Sequence, residues 1–146
     1  MPLSQTPVKA EDRKLYVATT LPATLTDPTL YQLVGLQTGS PVGRVKGGTD
    51  VKWKGGNAKI FATTQFTQTV GVLVAADVDD GQVILRNAQV SGARIFCLLT
   101  SNLSGSAAQH YGAQVGGGQE GDGTEGALSD SFDIAVIGTP VTFVVA

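Results

Sequence analysis

The sequence has few of the residues that build disulfides, metal centres and catalytic sites. It contains one cysteine, Cys97, and one histidine, His110. An internal disulfide is therefore excluded, and a zinc site, which draws most of its ligands from cysteine and histidine, is not expected. Cys97 lies in an apolar stretch and is most simply a core residue, while His110 is most simply an ordinary strand or surface residue. No combination of acid, base and nucleophile stands out, so we expect neither an enzyme nor a cofactor.

Charged residues are also scarce, at 15 % of the chain, and the formal net charge is −2. The chain as a whole therefore has no basic character that would draw it to nucleic acid or to an anionic membrane. So few charges are unusual for the fully exposed surface of a monomer. We expect that part of the surface is buried in an assembly.

The amino-acid sequence predicts no segment for export or for membrane insertion. Residues 1–7 lack a charged region followed by an apolar core, as a signal peptide would have. The most apolar stretch, residues 132–146, is too short to cross a bilayer and is interrupted by Asp133, Gly138 and Pro140. We therefore expect no membrane partner, and the single cysteine favours synthesis in a reducing cytoplasm.

Nineteen of the 146 residues are glycine, about twice the average share of roughly 7 %. Valine and threonine are plentiful too, and this combination is typical of strands joined by many turns. The patterns predict strands over residues 15–20, 31–36, 51–54, 59–64, 66–74, 93–100, 109–115, 128–137 and 141–145, with a turn at residues 138–140. The fold class is therefore mainly β, a sandwich or open barrel with one short α-helix.

That helix is predicted from Asp79 to about Gly92. Asp79 is a suitable N-cap, and Gln82 stands three residues later, as in a capping box. An EF-hand calcium loop is the alternative for the acidic run that begins at Asp77. Its sixth and twelfth positions would need Gly and Glu, but they hold Gln82 and Ala88. We therefore prefer the helix cap.

The domain organisation is simple: a flexible N-terminal arm over residues 1–13 and a single domain over residues 14–146. Residues 37–56 are rich in glycine and are predicted to form a long loop. Between Arg44 and Lys59 this region carries five bases and one acid, a local charge of +4. It could bind nucleic acid through phosphate contacts and Trp53 stacking, be a plain solvated loop, or contact a neighbouring subunit.

The glycines at residues 116–118 do not form a phosphate-binding loop. Such a loop needs Gly-Lys-Ser/Thr at the start of a helix, and no Lys or Arg follows Arg94. We predict a flexible turn over residues 116–126, and the acids that it carries, Glu120, Asp122 and Glu125, would repel phosphate.

Four features together resemble a known family. The first strand opens as LYVATTLPAT, and a glycine-rich, partly basic region follows the first two strands. The short helix DDGQVILRNAQVSGA leads directly into the apolar strand RIFCLLT, and the chain ends with FDIAVIGTPVTFVVA. This order resembles the tail tube (major tail) proteins of long-tailed bacteriophages over nearly the whole chain.

The resemblance implies a structural virion protein made in the host cytoplasm. Such subunits form rings, usually hexameric, in which the sheets join into a continuous β-barrel, and the rings stack into a hollow tube. The arm and the long loop would bridge successive rings. Implied partners are other copies of the chain, the tape measure protein, the tail terminator and the distal tail or baseplate proteins. DNA would pass through the lumen without specific binding.

The distribution of charge suggests which residues serve this assembly. Residues 1–76 carry eight bases and four acids, a net +4, whereas the remainder carries two bases and eight acids, a net −6. Complementary ring faces are one use of such segregation, and an acidic lumen would repel DNA phosphates. Our candidates for contacts between subunits or rings are Arg13, Lys14, Arg44, Lys46, Lys52, Trp53 and Lys54. Our candidates for the lumen or an acidic ring face are Glu120, Asp122, Glu125 and Asp130.

Two alternatives remain at this point. One is a capsid decoration protein or another tail structural protein, which would stop at a small closed ring. The other is a small β-sandwich module that binds carbohydrate or single-stranded nucleic acid. That module would need exposed aromatic side chains, and only Trp53 and three tyrosines are available for stacking.

Overall fold

The computed structural model describes residues 12–35, 37–62, 64–74, 79–101, 103–119, 121–122 and 128–146; for residues 121 and 122 it describes the backbone only. In these ranges lie eleven strands, one α-helix and the short 3-10 helix Pro28–Leu30. The strands are β1 (Lys14–Ala18), β2 (Gln32–Leu33), β3 (Gln37–Gly39), β4 (Val42–Val45), β5 (Gly48–Trp53), β6 (Gly56–Phe61), β7 (Gln65–Leu73), β8 (Arg94–Thr100), β9 (Ala107–Val115), β10 (Gly121–Asp122) and β11 (Leu128–Val144). The helix α1 spans Asp80–Ser91.

One antiparallel sheet of nine strands forms the body of the protein. Its order is β2-β1-β8-β9-β11-β7-β3, with β4 also pairing with β7 and β10 with β11. The sheet curls into a half-barrel, and β5 and β6 form a separate two-stranded hairpin. The prediction of a mainly β fold with one short α-helix is confirmed.

The main core fills the space between α1 and one face of this sheet, which we call the helix-side face. Burial alternates along β7, where Val70 and Val72 are buried and Thr67 and Thr69 are exposed. Along β8 burial extends to both faces, as the continuous apolar run predicted. Phe132, at the centre of the core, is fully buried. The side chains that form this core are Leu15, Val17, Val34, Val70, Val72, Leu85, Ala88, Ile95, Cys97, Leu99, Tyr111, Ala113, Val115, Phe132 and Ile134.

The N-terminus of α1 is fixed to the chain after β2. The Asp79 carboxylate accepts a hydrogen bond from the Gly35 amide at 2.8 Å, and the Gln82 amide donates to the Gly35 carbonyl at 2.9 Å. A second bond runs from Gln82 to the Leu73 carbonyl at 3.2 Å. Asp79 is the N-cap residue, as predicted, but its side chain makes no capping bond. The capping-box interpretation was therefore wrong, because Asp79 and Gln82 both bind a neighbouring segment.

Gly81 allows this close approach. A Cβ atom at this position would lie 2.4 Å from the Leu33 carbonyl oxygen, so only glycine fits between the helix and β2. At the other end the helix closes on Gly92, which has a φ of 71° and donates its amide to the Ala88 carbonyl. This left-handed C-cap is the usual role of glycine there. The predicted extent of the helix is confirmed.

Residues 138–140 do not reverse the chain as predicted. Ile137 pairs with Gly112 and Val141 with His110, so the two halves of β11 run along the same strand, β9. Three residues of β11 therefore lie opposite the single residue Tyr111, which is a bulge. Gly138, with a φ of 74°, supplies the positive φ that the bulge requires.

Residues 37–56 contain regular structure in place of the predicted loop. β3, β4 and β5 lie within this range, and β3 and β4 both pair with β7. The many glycines are compatible with strands here because these strands lie at the edge of the sheet or in an exposed hairpin, where few side chains must pack. The flexible turn predicted over residues 116–126 begins differently, since Gly116 and Gly117 hydrogen-bond to Asp133 of β11. Residues 120 and 123–127 of that predicted turn lie outside the described residues.

We predict that Gly81→Ala destabilises the protein, although alanine is the better helix former by about 1 kcal/mol. The added Cβ would meet the Leu33 carbonyl, and overpacking of this kind typically costs about 1–3 kcal/mol. Urea denaturation measures the effect. The control is Asn87→Ala on the exposed side of α1, which should be neutral or slightly stabilising. A Gly81→Ala protein more stable than the wild type would disprove the close contact.

We also predict that stability falls at alkaline pH. Burial raises the pKa of the Cys97 thiol from 9.0 to about 12 and that of the Tyr31 hydroxyl from 10.0 to about 12. Both groups stay neutral in the folded chain but ionise on unfolding, so their contribution is complete below pH 9 and is lost as the pH rises toward 12. The free energy of unfolding, measured at several pH values, should decline above pH 9. In Cys97→Ala the decline should be shallower; an identical decline would contradict the assignment to Cys97.

Candidate self-assembly surfaces

The hairpin of β5 and β6 is exposed along its whole length. Its strands pair from Gly48 with Phe61 to Trp53 with Gly56, leaving Lys54 and Gly55 as a two-residue turn. Gly55 has a φ of 97°, which the tight turn requires. All residues of both strands are exposed. The hairpin thus has no core of its own, and the described residues of the chain leave both of its faces uncovered.

The two faces of the hairpin differ in chemistry. Paired residues in an antiparallel ladder point to the same side, so the register places Val51, Trp53, Ala58 and Ile60 together on one face. We call this the apolar face. The other face, the basic face, carries Asp50, Lys52, Lys59 and Phe61. Lys46, before the hairpin, extends its ammonium over the Phe61 ring at 5.8 Å from the ring centroid.

Trp53 is the largest side chain on the apolar face. It lies across its partner Gly56, where a Cβ atom would come within 2.9 Å of the indole ring. The indole remains 55 % exposed, and Ile60 beside it is 59 % exposed. A large apolar surface of this kind on an exposed hairpin is typical of a protein contact site.

The structure brings together only part of the predicted basic set. Arg44 and Lys46 lie in or just after β4, and Lys52, Trp53 and Lys54 lie on the hairpin that follows; all five are exposed. Arg13 and Lys14 are exposed at the start of β1, which is separated from β7 by β8, β9 and β11. These two cations therefore belong to a different region of the surface.

Of the predicted acids, Asp130 is engaged within its own chain. Its carboxylate lies 3.5 Å from the guanidinium of Arg86 on α1, and its side chain is only 12 % exposed. It also accepts the Ser131 amide at 2.8 Å. Asp122 is in β10, where only the backbone is described, and Glu120 and Glu125 lie outside the described residues. Asp130 is thus the one acid of this set with a defined contact, and that contact holds the helix to the sheet.

A groove lies on the face of the sheet opposite α1. The segment after β1 folds over this face and packs Tyr31 against Ala18 and Leu98. The Tyr31 hydroxyl donates to the Leu25 carbonyl at 2.9 Å, which holds the segment closed. Between this segment and the bulge of β11 is a cavity of about 200 Å³, lined by Leu21, Leu25, Tyr31, Arg94, Phe96, His110, Tyr111, Gly112, Ile137, Thr139 and Val141.

Sequence reasoning missed this groove. Leu21 is 64 % exposed, Val141 is 52 % exposed and Ile137 is 38 % exposed, so its rim is apolar and open. Arg94 and His110 also line the groove. The Arg94 guanidinium lies 5.6 Å from the centroid of the Phe96 ring, and the ring centroids of His110 and Phe143 are 6.0 Å apart. The only signal in the sequence was the excess of apolar residues in segments interpreted as a loop and a turn.

The main sheet also has open edges. β2 ends it on one side and β3 with β4 on the other, and no described strand covers either edge. Edge strands with free backbone groups are ready to pair with another chain. The described surface therefore offers two open sheet edges and one exposed hairpin as candidate sites of contact with another chain.

The described ranges contain no group of three or more His, Cys, Asp or Glu side chains that could hold a metal ion. Among the helices described, none is both long enough and apolar enough to cross a membrane.

Comparison with solved structures relates this architecture to phage tails. No protein-family model matches the sequence, and no relative is found among curated proteins. A subunit of the SPP1 tail tube matches with a TM-score of 0.70 and 21 % identity, over 93 % of this chain and 78 % of that one. The tail of an empty GTA particle, determined with C6 symmetry, matches with a TM-score of 0.67 and 10 % identity, over 94 % of this chain and 99 % of that one. A chain of the native gene transfer agent virion matches with a TM-score of 0.67 and 9 % identity, over 94 % of this chain and 99 % of that one. The chain therefore has the fold of phage tail tube subunits.

Proposed function

We propose that this chain is a structural subunit of a phage tail tube. It assembles with itself into rings, of six subunits, that stack into a hollow tube for the passage of DNA. The observation that carries this proposal is the match to the SPP1 tail tube subunit over 93 % of the chain. The C6 symmetry of the matching GTA tail supports six subunits per ring.

The open edges of the sheet support ring formation. β2 at one edge and β3 with β4 at the other present backbone donors and acceptors without a described partner strand. In a ring, the edge of one subunit pairs with the opposite edge of the next, so that six curled sheets make one continuous barrel and no free edge remains. Because the two edges differ, the contact is head-to-tail, the type that closes into rings.

Charged and exposed residues serve the contacts between rings in this proposal. The cations Arg44, Lys46, Lys52 and Lys54 lie on or next to the hairpin, and Arg13 and Lys14 form a second site at the start of β1. Their complements are the acids Glu120, Asp122 and Glu125, with Asp130 a weaker candidate because Arg86 already pairs with it. Opposite charges on facing surfaces fix the orientation in which rings stack.

The lumen and the ends of the tube define the remaining partners. Acidic residues around the lumen repel DNA phosphates, so DNA passes without specific binding. The tape measure protein occupies the lumen before ejection, and terminator and distal tail or baseplate proteins close the two ends. The protein acts in the virion after synthesis in the host cytoplasm, and its role requires no catalysis.

Negative-stain electron microscopy at increasing protein concentration tests the proposal. We expect hollow filaments of uniform width made of regularly stacked rings. Closed rings or trimers that never stack, at any concentration and with or without an initiating tail complex, would favour a decoration protein and overturn the tube assignment. A persistent monomer under all these conditions would overturn it as well.

We predict that the double variant Lys52→Gln, Lys54→Gln polymerises less readily than the wild type. Both side chains are exposed, so the fold should stay intact while the attraction to an acidic ring face is lost. For contacts at a solvated rim we expect the concentration for half assembly to rise about 3- to 10-fold. The charge-preserving variant Lys52→Arg, Lys54→Arg is the control. Equal assembly of the Gln and Arg variants in low salt would contradict the role of these charges.

Removal of residues 1–13 should also weaken polymerisation without unfolding the domain. β1 begins at Lys14, so the truncation leaves every described strand in place. Thermal unfolding should therefore match that of the full chain, while microscopy shows fewer or shorter tubes. Normal tubes from the truncated chain would show that the arm is not a contact between rings.

A further inference from the structure

We infer that the apolar face of the hairpin in one copy of the chain docks into the groove beside the β11 bulge of a second copy. This inference rests on the proposed self-assembly and names the surfaces that meet. It assigns Trp53 and Ile60, rather than the neighbouring lysines, as the anchors of the contact. The receiving residues are Phe96, Ile137 and Val141.

Uncovered apolar surface is the first reason. On the hairpin, Trp53 is 55 % and Ile60 is 59 % exposed. On the groove, Leu21 is 64 % and Val141 is 52 % exposed. Both surfaces belong to the same chain, and each lacks a cover within the described residues. Contact between copies removes both from water in one step.

The charges of the groove determine which face of the hairpin fits. Arg94 and His110 line it, and no acid is among the described residues that line it. The basic face carries one acid, Asp50, but two lysines, Lys52 and Lys59, which would find no acid in the groove. The apolar face brings no charge, and Trp53 offers an aromatic ring to the Arg94 guanidinium, which already lies over Phe96. Arginine between two aromatic rings is a favourable arrangement.

The size of the groove favours a side chain over a free small molecule. Its volume is about 200 Å³, below the roughly 300–1,000 Å³ of typical ligand pockets. A large aromatic anchor surrounded by smaller apolar side chains is the usual centre of a protein interface. Trp53 with Val51 and Ile60 around it has this composition.

The contact is also of the right symmetry type. The hairpin and the groove are different surfaces, so each copy presents one of each to its neighbours. Such a heterologous contact propagates from copy to copy, which produces rings or filaments rather than a two-fold dimer. A separate dimer interface is not needed to explain assembly.

Cross-linking between two engineered chains tests the inference. Chains carrying Ile60→Cys are mixed with chains carrying Val141→Cys, and disulfide heterodimers are counted after mild oxidation. The native Cys97 is fully buried and should not take part. The matched pair replaces Ile60→Cys with Asn57→Cys, which lies beside Lys52 on the basic face. We expect heterodimers from the first mixture at several times the yield of the second.

Substitution in the groove gives a second measurement. Val141→Asp places a charge in the groove. The control, Val144→Asp, places a charge at another exposed position of the same strand, since Val144 is 67 % exposed. Val141 pairs with His110 and Val144 with Ala107, so their side chains lie on opposite faces. We expect Val141→Asp to raise the concentration for half assembly by about tenfold or more, as loss of a central apolar contact does, with Val144→Asp close to wild type.

The outcomes separate this inference from the proposed function. Equal cross-linking by both cysteine pairs, or equal effects of the two aspartates, would overturn the docking assignment. If hollow tubes form normally alongside such a result, the tube function stands and only the contact is wrong. Specific cross-links in particles that never become tubes would support the docking contact and overturn the proposed tube function.

Discussion

The attachment of α1 to the sheet is the constraint on which the subunit depends. One twelve-residue helix must cover the apolar side of a nine-stranded sheet, so its position has to be fixed closely. Gly81 lets the helix backbone reach the backbone of Leu33, and Gln82 joins the segment after β2 to the last residue of β7 by bonding the carbonyls of Gly35 and Leu73. Gln82 is almost fully buried, and these two bonds satisfy its amide nitrogen, whereas its Oε1 has no hydrogen-bond partner among the described residues. The ion pair of Arg86 with Asp130 adds a link to β11.

Sequence patterns could predict the elements whose side chains pack. β7 alternates with a period of two and β8 is apolar on both faces, and the helix has a good N-cap residue and a glycine at its end. Each of these signals is a direct consequence of burial or of backbone geometry at a terminus. The partners of Asp79 and Gln82 could not be predicted in this way, because Gly35 and Leu73 are distant in sequence or belong to another element, and a local motif describes only local bonds.

The incorrect predictions concern segments whose glycines are compatible with more than one backbone structure. Gly138, followed by Thr139 and Pro140, has the composition of a turn, but the same backbone conformation serves a bulge, and pairing with β9 decides between them. Both strands of the hairpin, β5 and β6, begin with a glycine and have no buried residue, so the hairpin lacks the hydrophobic contrast that makes a strand recognisable. Its alternation of Val51 and Trp53 with lysines was visible, and it proved to be the one reliable signal in that region.

The bulge in β11 has a consequence for how the chain can change in length. It sets three residues against one, an excess of two, and an even excess leaves the alternation of side chains unaltered across the interruption. Val141 therefore stays on the side of the sheet where Ile137 lies, and the groove and the core each keep their own set of side chains. An insertion or deletion of two residues at this position preserves that assignment, whereas a change of one exchanges inner and outer surfaces for the rest of the strand. We therefore expect the groove to tolerate length changes of two residues at the bulge more readily than changes of one.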